Sequence, residues 1–257
     1  MGKRIIIGTI CLLFLVFTLR GGIAQTLGNV IGTEGQRIYR IAAEYNYIGR
    51  IVEENGETPG EKFETTSNRF FIKGSYGLSD FASLFLRLGA ANLEVPSKSA
   101  GFNDFNGDTH FAYGGGIKLR PLRLNRIKSE FFIISQAVAF TSEGSVKDSR
   151  FRISNKYDWR EYQTALAFAV QIKEVDLYIG LEKTWLDGKH EWTQYWLSSN
   201  QFVDRGSQDF SDDEQSLRPV IGFDFQLPQG YTLSLEAGGI GEDELTLMLG
   251  FSQKSSR

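Results

Sequence analysis

The chain contains only two histidines, and one of them stands beside an aspartate. Asp108 and His110 are separated by a single residue, and such a pair can activate a water molecule as a general base. The pair is therefore a candidate hydrolytic site. The alternative, which we favour, is that His110 is simply a polar residue at the rim, next to an acidic loop.

The second histidine, His190, lies in the aromatic stretch GKHEWTQYW. Two histidines far apart in the sequence, with no cysteine near either, do not predict a zinc site. Trp192, Tyr195 and Trp196 are candidates for a surface patch that binds a glycan or a partner. We favour the alternative, in which they form an aromatic belt at a membrane interface or pack within a long loop.

Oxygen-rich and glycine-rich stretches give weaker signals. Asp104, Asn106 and Asp108 alternate in FNDFNGD and could bind calcium, but the glutamate of an EF-hand loop is missing. The acidic run SDDE, 211–214, is more typical of a solvated loop. YGGG, 113–116, lacks the following Lys-Ser/Thr of a phosphate loop. We therefore expect no catalytic residue, no metal and no cofactor.

The N-terminus has the three parts of a secretory signal peptide. A basic start, MGKR, precedes the apolar run IIIGTICLLFLVFTL, and small residues allow cleavage after Ala24. We expect a signal peptide at 1–24 and a short periplasmic lead at 25–36; an uncleaved anchor is the competing interpretation. The only cysteine, Cys11, lies in the signal, so no disulfide is expected after cleavage.

Charge and composition exclude several classes of protein. The formal charge is −3, and loss of Lys3, Arg4 and Arg20 with the signal lowers it to −6, which disfavours nucleic acid as a partner. The mean hydropathy is −0.23, and no later apolar run approaches the length of a membrane helix. The 20 Phe, 10 Tyr and 28 Gly favour strands with rings on one face and small residues on the other.

Ten stretches alternate between apolar and polar residues, as strands do when only one face is apolar. They are 38–51, 68–78, 82–95, 109–119, 129–140, 161–172, 175–185, 220–227, 231–239 and 243–253. In the last of them, the apolar positions are Leu245, Leu247, Leu249 and Phe251. The residues between them, such as Thr246, are small or polar, except for Met248.

Longer and shorter connections alternate between these stretches. The last connection is short and ends the alternation. The long ones, at 53–67, 96–108, 141–158 and 186–216, are expected to be loops. Long extracellular loops and short periplasmic turns are typical of outer-membrane barrels. We predict an all-β, antiparallel transmembrane β-barrel over residues 37–253, most simply with 10 strands and alternatively with 8, followed by a periplasmic tail at 254–257.

The polar faces combine many small residues with single charges, which suits a narrow lumen filled by side chains. Buried charges need partners of opposite sign. The predicted lumenal cations are Arg40, Arg69, Lys73, Arg87 and Lys118, and the predicted lumenal anions are Glu44, Asp176, Glu182, Asp224 and Glu236.

Three segments resemble those of small Gram-negative outer-membrane β-barrel proteins. KGSYGLSDFASLFLRLG resembles a hairpin of that family, HFAYGGGIKL its next strand, and LTLMLGF its C-terminal strand signal. The family usually stops at the final aromatic residue, whereas six residues follow Phe251 here. The resemblance implies an outer-membrane location among lipid and lipopolysaccharide, with the barrel assembly machinery as a transient partner. It carries over no catalytic residue.

The leading functional hypothesis is a barrel without enzymatic chemistry that acts structurally, in surface interaction at its loops, or as a narrow passive pore. Barrels of the omptin type use acidic residues and a histidine at the rim, so a hydrolase with Asp108 and His110 is one alternative. The other alternative is a soluble, lipocalin-like barrel that binds an apolar ligand.

Overall fold

The computed structural model describes residues 38–54, 62–96, 104–147, 150–212, 217–239 and 245–255. The predicted signal peptide and periplasmic lead lie outside these ranges. Thirteen strands are present in them: β1 (Tyr39–Glu54), β2 (Lys62–Ser79), β3 (Ala82–Ala91), β4 (Glu94–Val95), β5 (Phe105–Asn106), β6 (His110–Leu124), β7 (Ser129–Lys147), β8 (Phe151–Ile172), β9 (Val175–Trp196), β10 (Phe202–Asp212), β11 (Arg218–Gln226), β12 (Tyr231–Gly238) and β13 (Leu245–Ser255). Among the described residues, no helix is long and apolar enough to cross a membrane.

Ten of these strands form a closed antiparallel ring, which confirms the predicted count. Their order around the ring is β1, β2, β3, β6, β7, β8, β9, β11, β12 and β13. The ring closes where β13 pairs with β1, from Leu245 opposite Gly49 to Ser255 opposite Tyr39. Residues beyond Phe251 thus continue the ladder that seals the barrel.

The two ends of the barrel differ. One end, called the terminal end, carries the start of β1, the end of β13 and the tight turns. In those turns Lys173, Gln229 and Gly230 adopt positive φ values of 58°, 63° and 79°, as short reversals between strands require. The opposite end, called the distal end, carries the longer strands.

The predicted loops 141–158 and 186–216 are largely strand, and residues 62–67 of the predicted loop 53–67 belong to β2, so the loop assignment was wrong there. β7 continues to Lys147, β8 begins at Phe151, and β9 continues to Trp196 before β10 returns. The alternation persists in these extensions, but their outward residues are polar because they lie beyond the apolar wall. Polar outward residues made the extensions look like loops in the sequence.

The distal extension is itself a closed structure with an apolar core. β10 pairs with β9 along its length and reaches β1 at Glu53 and Glu54, so it takes the place of the shorter strands β11, β12 and β13. Inside lies one cluster of buried apolar side chains: Val52, Phe63, Phe71, Ala91, Leu93, Val95, Phe105, Ala112, Val138, Phe140, Val146, Tyr157, Trp159, Leu186 and Phe210. We call it the distal core.

Candidate functional site

Below the distal core the lumen holds buried charged side chains beside a second, smaller apolar cluster that includes Phe85 and Phe132. All ten charged residues predicted to face the lumen are buried. Glu44 on β1 accepts a hydrogen bond from Lys73 Nζ at 3.1 Å and from Arg87 Nε at 2.8 Å. One carboxylate thus pairs with cations from the next two strands, which is the pairing that two buried cations need.

A hydrogen-bonded chain crosses the lumen from this pair. Arg87 Nη1 donates to Gln136 Oε1 at 2.6 Å, and the amide of Gln136 donates to Gln163. Gln163 Nε2 in turn donates to Glu182 Oε2 at 2.6 Å. Side chains from β3, β7, β8 and β9 are joined, so the lumen is packed at this level.

A second ionic cluster lies directly under the distal core and was missed in the sequence. The carboxylate of Glu161 forms ion pairs with two arginines. Arg50 Nη2 lies 2.9 Å from Glu161 Oε1, and Arg69 Nη1 donates a hydrogen bond to Glu161 Oε2. The indole N–H of Trp159 donates to Oε2 at 3.1 Å. Glu161 and Arg50 stand at the edges of predicted strands next to assumed loops. Counting the alternation a few residues further would have placed both side chains inward.

The hairpin between β9 and β10 carries three aromatic rings at the distal end, and the first residue of β8 adds a fourth. We call them the aromatic tip: Phe151, Tyr195, Trp196 and Phe202. The rings of Phe151 and Trp196 lie 4.6 Å apart between centroids, and those of Tyr195 and Phe202 lie 6.4 Å apart and nearly perpendicular. Trp196 is 41% exposed and Phe202 is 58% exposed.

The backbone of the aromatic tip is held by hydrogen bonds. Within the turn, Trp196 N–H donates to Gln201 O at 2.9 Å, and Asn200 N–H donates to Trp196 O at 2.8 Å. Arg152 Nη2 donates to Asn200 Oδ1 at 2.8 Å, and its guanidinium lies 5.1 Å from the Tyr195 ring centroid. The rings are therefore displayed by an ordered turn with a cation at its side.

The structure does not assemble Asp108 and His110 into a catalytic pair. His110 is the first residue of β6, and its Nε2 is buried without a hydrogen-bond partner in the described part of the chain. Asp108 uses its backbone N–H to bind Glu143 O at 2.7 Å. Across the described ranges, no hydrogen bond or ion pair joins the two side chains, and no group of three or more His, Cys, Asp or Glu is placed to hold a metal.

His190 faces the inside of the distal extension, and its neighbour Trp192 packs against Gly206, where a Cβ would overlap the indole. The imidazole stacks on Tyr157 at 4.2 Å with the rings 2° from parallel, and Nε2–H donates to Asn155 Oδ1 at 3.0 Å. Burial disfavours the charged form and lowers the pKa of His190 to about 4.

The lowered pKa of His190 predicts that acid destabilises the distal extension. Between pH 6.5 and about 4 the unfolded chain binds a proton at His190 and the folded chain does not, so stability is lost as pH falls through this window. His190→Phe keeps a ring against Tyr157 but cannot titrate. Thermal unfolding at pH 7 and pH 4.5, followed by near-ultraviolet circular dichroism, is expected to show a smaller acid-induced loss in this variant. An equal loss in both proteins would contradict the assignment.

Around the ten-stranded ring, the outward surface has the opposite polarity to the lumen. Leu86 is 70% exposed and Phe111 is 64% exposed, whereas Glu161 and Asp224 inside are 0% exposed. Outward apolar side chains and inward charges fit a barrel that is surrounded by hydrocarbon. The chain is a transmembrane β-barrel of the outer-membrane type. The soluble, lipocalin-like alternative was wrong because such a barrel has its apolar face inside.

Similarity to known proteins is found among solved structures and not among family models or curated sequences. No protein-family model matches the sequence, and no curated protein matches it. Among solved structures, the translocator domain of the autotransporter NalP from Neisseria meningitidis is similar, with a TM-score of 0.49, 9% identity, and coverage of 84% of this chain and 88% of that one.

Two further solved structures have the same kind of similarity. The outer membrane protein OprG from Pseudomonas aeruginosa has a TM-score of 0.45 and 11% identity, covering 87% of this chain and 99% of that one. The outer membrane protease OmpT from Escherichia coli has a TM-score of 0.41 and 10% identity, covering 89% and 98%.

The wall of the outer-membrane barrel ends at a defined level on β8 and β9. Tyr162 and Trp185 are paired, outward-facing and exposed, and one step further Arg160 pairs with Asp187. Trp196 lies eleven residues beyond Trp185, which is on the order of 36 Å along a strand. The expected aromatic belt at the interface was therefore wrong for Trp196. Because the tight turns of such barrels face the periplasm, we expect the distal end to be extracellular.

Proposed function

We propose that this barrel is a surface-interaction protein without catalytic residues, in which the membrane-spanning part anchors a rigid extracellular β-structure. The distal core is the observation that carries this proposal. It packs the extension as a water-soluble domain is packed, so the aromatic tip is held away from the lipid on an ordered support. We also propose that the assembly machinery inserts the chain among lipid and lipopolysaccharide.

The chemistry of the aromatic tip favours an oligosaccharide as its extracellular ligand. Exposed aromatic rings offer flat apolar faces to the C–H groups of sugar rings, and the guanidinium of Arg152 can donate to sugar hydroxyl or acidic groups. Grouped exposed rings away from lipid are typical of a binding surface. Tryptophan, tyrosine and arginine are also the residues that contribute most strongly at binding surfaces.

The proposal is tested by replacing Trp196 with alanine. The purified barrel in an uncharged detergent is applied to an array of defined oligosaccharides, including lipopolysaccharide core sugars. Removal of an exposed ring at the centre of a binding surface is expected to weaken binding roughly tenfold or more. Phe202→Ala is expected to act in the same direction.

Trp185→Ala is the matched control, because Trp185 is similarly exposed but lies at the level of the lipid boundary. Binding that survives in Trp196→Ala and in Phe202→Ala would contradict the proposed surface. Single-channel recording in a planar bilayer distinguishes a passive pore from the surface-interaction protein proposed here. The packed lumen supports a closed barrel, and regular open-state current steps would argue for conduction instead.

A further inference from the structure

A cavity of about 530 Å³ opens at the periplasmic end of the lumen, opposite the aromatic tip. We call it the periplasmic vestibule. Its lining comes from β1, β6, β7, β8, β9, β11 and β13 and from the turn after β6, so it occupies the mouth of the barrel itself. Its volume lies in the range of sites that bind small molecules.

The vestibule has an excess of positive charge. Five of its lining side chains are basic and two are acidic, a difference of three positive charges. The basic residues are Arg40, Arg120, Arg123, Lys128 and Lys254, and the acidic residues are Glu130 and Asp176. The mature chain as a whole is expected to be acidic, so this concentration of cations is local.

The two acidic side chains of the lining do not cancel its excess of positive charge. Glu130 Oε1 is shared by two guanidinium groups, with Arg120 Nη1 at 3.0 Å and Arg123 Nε at 3.2 Å. Asp176 Oδ2 accepts a hydrogen bond from the neutral amide of Gln226 at 2.8 Å. One carboxylate therefore faces two arginines beside the cavity, of which Arg120 is largely buried and Arg123 is exposed.

We propose that the periplasmic vestibule binds a phosphate-bearing anion. The fork of a guanidinium group matches the geometry of phosphate oxygens, and arginines from two separate strands of the mouth, Arg40 on β1 and Arg120 on β6, can contact one ligand from two sides. A phosphate monoester carries a charge of about −1.5 to −2 at neutral pH, so one or two such groups match the excess charge. A soluble periplasmic phosphate and a phospholipid headgroup share this chemistry.

The direct test is calorimetric titration of the full-length mature barrel with inorganic pyrophosphate, in an uncharged detergent and at low ionic strength. We expect saturable binding that Arg120→Gln and Lys254→Gln each weaken by tenfold or more. Lys156→Gln is the control, because Lys156 is an exposed cation on the extracellular extension and its loss is expected to leave binding unchanged. Lys254 is exposed on the end of β13, so its substitution tests the site without disturbing a buried pair.

A second arm distinguishes the source of the phosphate. Wild type and the two vestibule variants are placed in nanodiscs of phosphatidylcholine, with or without phosphatidylglycerol. Pyrophosphate binding that persists in both lipids supports a soluble ligand, and its displacement by phosphatidylglycerol supports a headgroup. If neither anion binds the wild type, or if both bind the vestibule variants as well as the wild type, the proposal is overturned. The extracellular function proposed above is untouched by either result.

Discussion

Glu161→Gln is expected to lower the free energy of unfolding by about 3–5 kcal/mol, because it removes the buried negative charge that two buried arginines share. Arg50, Arg69 and Glu161 all have side chains that are at most 1% exposed. The amide of glutamine keeps the shape of the side chain but carries no charge. The measurement is urea unfolding of the folded barrel in detergent, followed by tryptophan fluorescence.

Two comparisons isolate the charge from the packing. Glu143→Gln removes an exposed carboxylate that lies 3.9 Å from Lys156, and its effect is expected to stay below about 1 kcal/mol. Replacing Glu161, Arg50 and Arg69 together by leucine removes every charge of the cluster. Because the cluster adjoins the distal core, the triple variant is expected to recover most of the lost stability. A triple variant as unstable as Glu161→Gln would show that buried charge is not the cause.

Trp159→Ala is expected to destabilise the extracellular extension by about 3–5 kcal/mol through the cavity that it leaves. Trp159 is almost fully buried in the distal core, between Phe140 at 5.9 Å and Phe210 at 5.6 Å between ring centroids. The loss is expected to be local. Deuterium exchange is expected to increase in β10 and in the distal part of β8, while residues 166–172 in the membrane-spanning part keep their protection.

Trp185→Ala provides the comparison for this variant as well. Trp185 is an outward-facing tryptophan and its loss opens no internal cavity, so little change in exchange within β10 is expected. Uniform loss of protection across both parts of the barrel would contradict the separation between the distal core and the membrane-spanning ring.

The sequence predicted the membrane-spanning part well because lipid imposes a strict rule there. Most outward residues are apolar there, so alternation such as Leu245, Leu247, Leu249 and Phe251 identifies both the strand and its face. The structure places these four outward and Thr246 inward. Even β7, whose two faces are both apolar in the sequence, has a single register, with Phe132 inside.

The extracellular part was harder to predict because water permits many residues on the outward face. Lys156 and Asp158 point away from the core while Tyr157 and Trp159 fill it, which is the reverse of the polarity in the ring below. The rule that apolar residues face outward therefore no longer identifies the strands beyond this level. The residues of the aromatic tip were then assigned to two loops, and Glu161 and Arg50 stood at the very edges of predicted strands, where their pairing was not recognised.

The vestibule could not be predicted as a unit, because its residues come from distant parts of the chain. Arg40 and Lys254 are neighbours only because β1 and β13 close the ring, and Arg120 reaches Glu130 across a turn. Arg40 was expected to face the lumen, but the basic stretch around Arg120 was taken only as a connection. Closure of the barrel, which no local pattern encodes, brings these charges to one mouth.

The outward surface changes from aromatic to charged between adjacent outward positions, and this change also sets the immersion depth of the protein. The aromatic pair is Tyr162 and Trp185, and the charged pair is Arg160 and Asp187. Adjacent outward positions on a strand are about 7 Å apart. Sinking by that distance would push Arg160 and Asp187 into hydrocarbon, and rising by it would lift Tyr162 and Trp185 out of the interface. Vertical sliding is thus opposed in both directions, so the tip stands at a constant height above the bilayer.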